Sequence, residues 1–175
     1  MRSAGRYLLA FFLLGCASTQ PAHEEPFTPG TPVDHVRAVR ELMRVRATHG
    51  ERTESFKAQL LVEPSTKRME LTAYTPLGTS AVTLFADGDR VTFLNHIEQT
   101  RWEGSAREVA FLDGIEPATW GMKIVTSSPD ATGRIVISRG AGTLEITPLQ
   151  LVSTDARPQA PPIPREYRCC VAPAL

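Results

Sequence analysis

This 175-residue sequence has no surplus of either charge: 19 lysines and arginines stand against 19 aspartates and glutamates. Nucleic acid is held mainly by cations on its phosphates, so it is a poor partner here. Histidine is scarce and scattered. His23, His35, His49 and His96 have no neighbour at metal-ligand or catalytic spacing. There is no G-x-S-x-G, no phosphate-cradling glycine loop and no zinc spacing, and Ser127 and Ser128 have no recognisable base nearby. Catalytic groups often lie far apart in sequence, but these absences argue against an enzyme and supply no case for a metal or a cofactor. Cysteine is limited to Cys16, Cys169 and Cys170. The last two are adjacent, which leaves three readings open: free thiols, a strained vicinal disulfide or pairing between chains.

Long apolar runs are also missing. The longest, residues 7–14 (YLLAFFLL), is far too short to span a bilayer. It follows Arg2 and Arg6 and ends in Leu13-Leu14-Gly15-Cys16. A basic start, a short apolar stretch and a small residue before the cysteine make a targeting segment. The segment resembles a bacterial lipobox, which implies lipidation of Cys16 and removal of residues 1–15. Cleavage would take Arg2 and Arg6 away and leave 17 basic side chains against 19 acidic ones. Residues 16–30 are polar and proline-rich and read as a lipidated, flexible tether. His23, Glu24 and Glu25 are expected to be solvated within it.

One domain is expected over residues 31–175, with a proline-rich C-terminal segment. Thr31, Pro32 and Asp34 have the character of a helix start. Val33, Val36, Val39, Leu42 and Met43 recur at helical spacing, with Arg37, Arg40, Glu41 and Arg44 on the other face and His49-Gly50 as the stop; that face reads first as solvated, and its arginines could also attract anionic head groups. Alternating segments then predict a meander of about five strands over residues 55–102. Asp87-Gly88-Asp89 marks one of its tight turns. Ser105 and Glu108 make a capping box ahead of a short helix, and residues 115–124 read as a second one. Residues 133–139 and 143–152 return to strand, and a short edge strand is expected within 167–171.

The stretch 67–85 is the centre of this pattern. It reads as strand, exposed turn, strand, with Pro76 and Gly78 giving the turn its mechanism. Leu77 sits at its tip. It either folds back onto its own hairpin or is presented outward to something apolar.

The element order predicts an α+β fold, mainly antiparallel β: a strongly curved, half-open β-barrel with an N-terminal helix and short lid helices. A cavity between sheet and lid would be lined from among Phe56, Leu60, Met69, Leu71, Phe85, Phe93, Trp102, Phe111, Trp120 and Met122, unless these side chains simply fill a core.

Together, the lipobox, the strand–Pro76-Leu77-Gly78–strand unit and the run from Thr100 to Glu108 (TRWEGSARE) resemble the LolB group of outer-membrane lipoproteins, within the LolA/LolB-like superfamily. The resemblance covers about residues 55–124, and more weakly the strands to 152. The proline-rich C-terminal part and the Cys169-Cys170 tail depart from the pattern. The resemblance implies an open β-barrel with a helical lid and a hydrophobic cavity for lipoprotein acyl chains. It also implies an outer-membrane location facing the periplasm, a LolA-like periplasmic carrier as partner, and an exposed leucine, here Leu77, that serves insertion into the outer-membrane lipid. The competing class is a structural or partner-binding lipoprotein with the same fold and a filled core.

Overall fold

The computed structural model describes residues 22–29, 38–109, 112, 114–139 and 142–169. Cys16, Phe111 and Cys170 therefore lie outside the described residues, as does the 31–37 part of the expected helix.

The strands in chain order are β1 (Glu24–Pro26), β2 (Ala38–His49), β3 (Arg52–Glu63), β4 (Arg68–Tyr74), β5 (Ser80–Asp87), β6 (Arg90–Asn95) and β7 (Thr100–Ser105). Helix α1 (Pro117–Thr126) follows, then β8 (Ile135–Arg139), β9 (Gly142–Thr154) and β10 (Arg168–Cys169). They form a single curved, unclosed and mostly antiparallel sheet in the order β1-β9-β2-β3-β4-β5-β6-β7-β10, with β8 also paired to β9. The five-strand meander is β3 to β7. Among the described residues the one parallel pairing is β10 against β7. The segment expected to be a tether contributes β1, an edge strand on β9.

The first correction is at the N-terminal side. Ala38–His49 is a strand, not the end of a helix. It pairs with β3 over its length, from Val39 opposite Val62 to His49 opposite Arg52. Val39, Met43 and Val45 point to the core together with Glu41, while Arg44 and Arg46 are exposed. The apolar spacing that suggested a helix also satisfies a period of two once Leu42 is placed on the other face, and long-range pairing on both sides decides between them. Gly50, expected to stop a helix, instead turns a hairpin at φ 58°. Both motifs need the same positive φ.

The expected lid lies over residues 105–126. The Ser105 capping box is present and opens a 3-10 turn, Ala106–Glu108; residues 110, 111 and 113 of the expected short helix lie outside the described residues. The Ser105 backbone N–H donates to Glu108 Oε1 at 3.0 Å, and Ser105 Oγ accepts from the Arg107 N–H at 3.3 Å. Among the described residues α1 is the one α-helix. It starts at Pro117, where a missing N–H costs nothing. It packs directly on the sheet: a Cβ added at Gly121 would lie 2.7 Å from Val62 Cγ2 and 3.0 Å from Met69 Sδ. Glycine at that position allows the helix to approach β3 and β4 so closely.

The core lies on the sheet face that α1 covers, here the inner face. Val39, Val62, Met69, Ala86 and Val91 are fully buried beneath this end. At 0.8 kcal/mol or so per buried CH₂, this packing is the main source of stability for the curved sheet.

Candidate functional site

Consecutive strand pairings line up one row of side chains across the inner face. Leu151 lies opposite Glu41, Glu41 opposite Leu60, and Leu60 opposite Leu71. Leu71 lies opposite Leu84, Leu84 opposite Phe93, and Phe93 opposite Trp102. Four of the expected lining residues (Leu60, Leu71, Phe93 and Trp102) thus share one row. Met69 belongs to the next row towards α1, and Phe56 to a row nearer the 75–79 turn. On α1, Trp120 is buried in the same cluster and Met122 is half-buried against it. Phe85 is the exception. Its cross-strand neighbours are Glu70 and Thr92, so it lies on the outer face. β5 alternates as the sequence predicts, but with the opposite set of side chains inward. Leu84 and Ala86 point inward, because β4 and β5 shift register at Ala73/Tyr74.

Burial along this face is graded. Next to α1 the row is closed. One row further on, Leu60 and Leu84 are still buried, while Leu71 and Phe93 are only half-buried. The following row carries small side chains: Ala73 and Val82, both half-buried, stand opposite one another. The inner face of β4 to β6 therefore passes from packed core to a half-open apolar surface towards the 75–79 turn.

That turn is well braced. The Gly78 N–H donates to the Thr75 carbonyl at 2.9 Å, and the Thr75 N–H to the Thr79 carbonyl at 2.8 Å. The hydroxyls of Thr75 and Thr79 lie 2.8 Å apart. Gly78 takes φ 83°, in the left-handed region that favours glycine. At the tip Leu77 is 92% exposed. A leucine held outward by a hydrogen-bonded turn is not folded back on its hairpin. The next hairpin at the same end of the sheet presents Ile97, 70% exposed. Asn95 Oδ1 accepts from the Ile97 and Glu98 N–H groups and fixes that tip. Sequence reading passed over Ile97, although Asn95 two residues before it has the side chain that builds such turns.

Sequence reading also placed Glu41 on a solvated face. It is 1% exposed, and its Oε2 has no hydrogen-bond partner among the described residues. Burial among leucines raises its pKa from 4.5 to about 7. The inner row thus holds one carboxyl group that is readily kept neutral, set between Leu60 and Leu151.

The outer face is crossed by the C-terminal segment. Glu63 Oε1 lies 3.6 Å from Arg157 Nε, Glu70 Oε2 accepts from the Gln159 N–H at 3.3 Å, and His96 Nδ1 lies 2.7 Å from the Tyr167 hydroxyl. His96 Nε2 meets Thr83 Oγ1 at 2.9 Å, and burial lowers the imidazole pKa, favouring the neutral ring. This histidine has partners after all, and they hold a strap in place. Near the 75–79 turn the same face has an open groove of about 480 Å³ that includes Arg44, Lys57, Tyr74 and Pro76. Cys169 is exposed and free in β10.

Among the described residues no group of three or more His, Cys, Asp or Glu side chains is placed to hold a metal ion, and no helix is long and apolar enough to cross a membrane. No protein-family model matches the sequence, and no curated protein matches it.

Proposed function

We propose that this chain is a lipid-anchored outer-membrane protein of LolB type, which binds lipoprotein acyl chains in a half-open barrel and helps to insert them in the outer membrane. The observation that carries the reading is the pairing of a braced, outward leucine with a half-open apolar face at the same end of the sheet. Each acyl CH₂ left in water costs about 0.8 kcal/mol, so a lipoprotein in transit needs an apolar seat. The half-buried Leu71, Ala73, Val82 and Phe93 on the inner face are the proposed seat. Transfer needs no covalent step, so no catalytic group is required. Leu77 would touch the bilayer while the seat empties, with Cys16 as the anchor and a periplasmic LolA-like carrier as the donor.

The test is native mass spectrometry of the detergent-free protein offered a triacylated lipopeptide. A stoichiometric adduct is the expected result, and its loss in Phe93→Glu would locate the chains. A folded protein that takes up no lipopeptide overturns the reading.

One observation favours a second reading, an outer-membrane scaffold that binds partners and no lipid. The inner face beside α1 is completely filled, with Val39, Val62 and Met69 all at 0% exposure. If the remaining face closes in the same way, a fluorescent fatty acid will not bind saturably.

A further inference from the structure

Arg44 on β2 and Lys57 on β3 stand directly opposite one another on the outer face. Like charges at facing positions repel, and the pair is destabilising unless an anion lies between them. Among the described residues neither cation has a carboxylate within ion-pair distance. The other neighbour of Arg44 is Thr147, and Lys57 is followed on β4 by Tyr74. Glu145 and Glu70 also lie on this face, and the Glu70 charge is felt by Tyr74, whose phenol pKa is raised by burial and then by Glu70. Glu145 is held by Arg134 at 2.9 Å, and Glu70 accepts from the Gln159 N–H.

The same two cations line the open groove of about 480 Å³, and its far wall is the 75–79 turn, through Thr75, Pro76 and Gly78. The groove therefore puts two cations, neither with a carboxylate partner among the described residues, and the half-buried Tyr74 beside the tip that carries Leu77. An apolar residue that enters a bilayer brings its neighbours to the depth of the head groups, where phosphates lie. A groove of this size admits one phosphate group with its ester substituents.

We propose that Arg44, Lys57 and Tyr74 form a binding site for the phosphate of an anionic lipid head group, which orients the Leu77 turn on the membrane. Two N–H-bearing cations flank the phosphate oxygens, and the Tyr74 hydroxyl donates a third hydrogen bond. The proposal rests on the reading that the Leu77 turn touches a bilayer, and it adds the lipid class that this contact selects.

The chain has three lysines, Lys57, Lys67 and Lys123, which makes the site directly readable. Lys67 lies at the opposite end of the sheet, paired with Glu116 at 3.3 Å, and Lys123 is on α1. The full chain is incubated with vesicles of phosphatidylcholine alone, or with phosphatidylglycerol added. The lysines are then acetylated, and each site is quantified by mass spectrometry. The expected result is that phosphatidylglycerol slows acetylation of Lys57 by about fivefold beyond any effect of phosphatidylcholine, with Lys67 and Lys123 unchanged. Arg44→Gln should remove most of that difference.

Equal protection of Lys57 by both vesicles overturns the head-group site and leaves the bilayer contact standing. No protection by either overturns both. Protection by inorganic phosphate without vesicles assigns the groove to a free anion and overturns the lipid source. A difference that survives in Arg44→Gln and in Tyr74→Phe together overturns the assignment of these residues.

Discussion

Glu41 stands opposite Leu60 across the β2–β3 pairing, in an inner row otherwise made of leucines and aromatic side chains. An ionised carboxylate is expensive there, and the neutral acid is not. The position is a titratable group in an apolar wall, and its Oε2 has no hydrogen-bond partner among the described residues.

Stability should therefore depend on pH through this residue. The folded pKa of Glu41 is raised from 4.5 to about 7, so the folded state holds the proton more tightly than the unfolded chain. Stability is full below about pH 4.5, falls as pH rises towards 7 and stays low above it. The loss is on the order of 3 kcal/mol at most for such a shift. His96 acts in the reverse sense: burial lowers its pKa, so it removes stability as pH falls below the ordinary imidazole value of 6.5. Urea unfolding of Glu41→Gln beside the parent between pH 4.5 and 8 separates the two. The variant should lose the falling limb and keep the His96 contribution. Parallel curves for the two proteins would show that Glu41 does not titrate in this range.

Leu77→Glu should leave the fold intact. The side chain is 92% exposed, and the turn is braced by Thr75, Gly78 and Thr79 rather than by Leu77. A change in unfolding free energy within about 0.5 kcal/mol is expected. Lipopeptide uptake should be nearly unchanged, because the proposed seat lies on the inner face. Transfer of that lipopeptide to vesicles should slow by about tenfold or more, the equivalent of burying one leucine in the bilayer. A variant that transfers as fast as the parent removes Leu77 from the mechanism.

Tyr167→Phe should loosen the C-terminal strap. The hydroxyl lies 2.7 Å from His96 Nδ1, and the next residue, Arg168, donates its N–H to the Gln99 carbonyl at 3.0 Å to start β10. Loss of one such hydrogen bond costs about 1 kcal/mol. Amide exchange at Arg168 and along 156–167 should quicken by roughly the corresponding factor, while exchange in β3 to β6 stays as it was. Unchanged exchange in the strap would mean that Arg157 and Gln159 hold it without the tyrosine.

Several local features were legible in the sequence because their causes are local. Pro76 with Gly78, Asp87 with Gly88, and the Ser105–Glu108 box each specify a turn through residues a few positions apart. The meander from β3 to β7 and the later strands β8 and β9 followed from alternation. Leu77 could be singled out from its place at a turn tip, but not its direction. The helix expected before the meander is a strand from Ala38 on because Val39 and Met43 fit a helical period and a period of two alike when partners are unknown.

By itself, the sequence determined that most of this chain would be antiparallel strand, where the tight turns lie, and that Leu77 sits on one of them. Only the tertiary structure decided which face each strand buries. A side chain in a strand changes faces with a one-residue shift of register, and register is set by partners far away in the chain. This is why Phe85 left the expected cavity, why Glu41 moved from a solvated face into the core, and why Arg44 came to lie opposite Lys57.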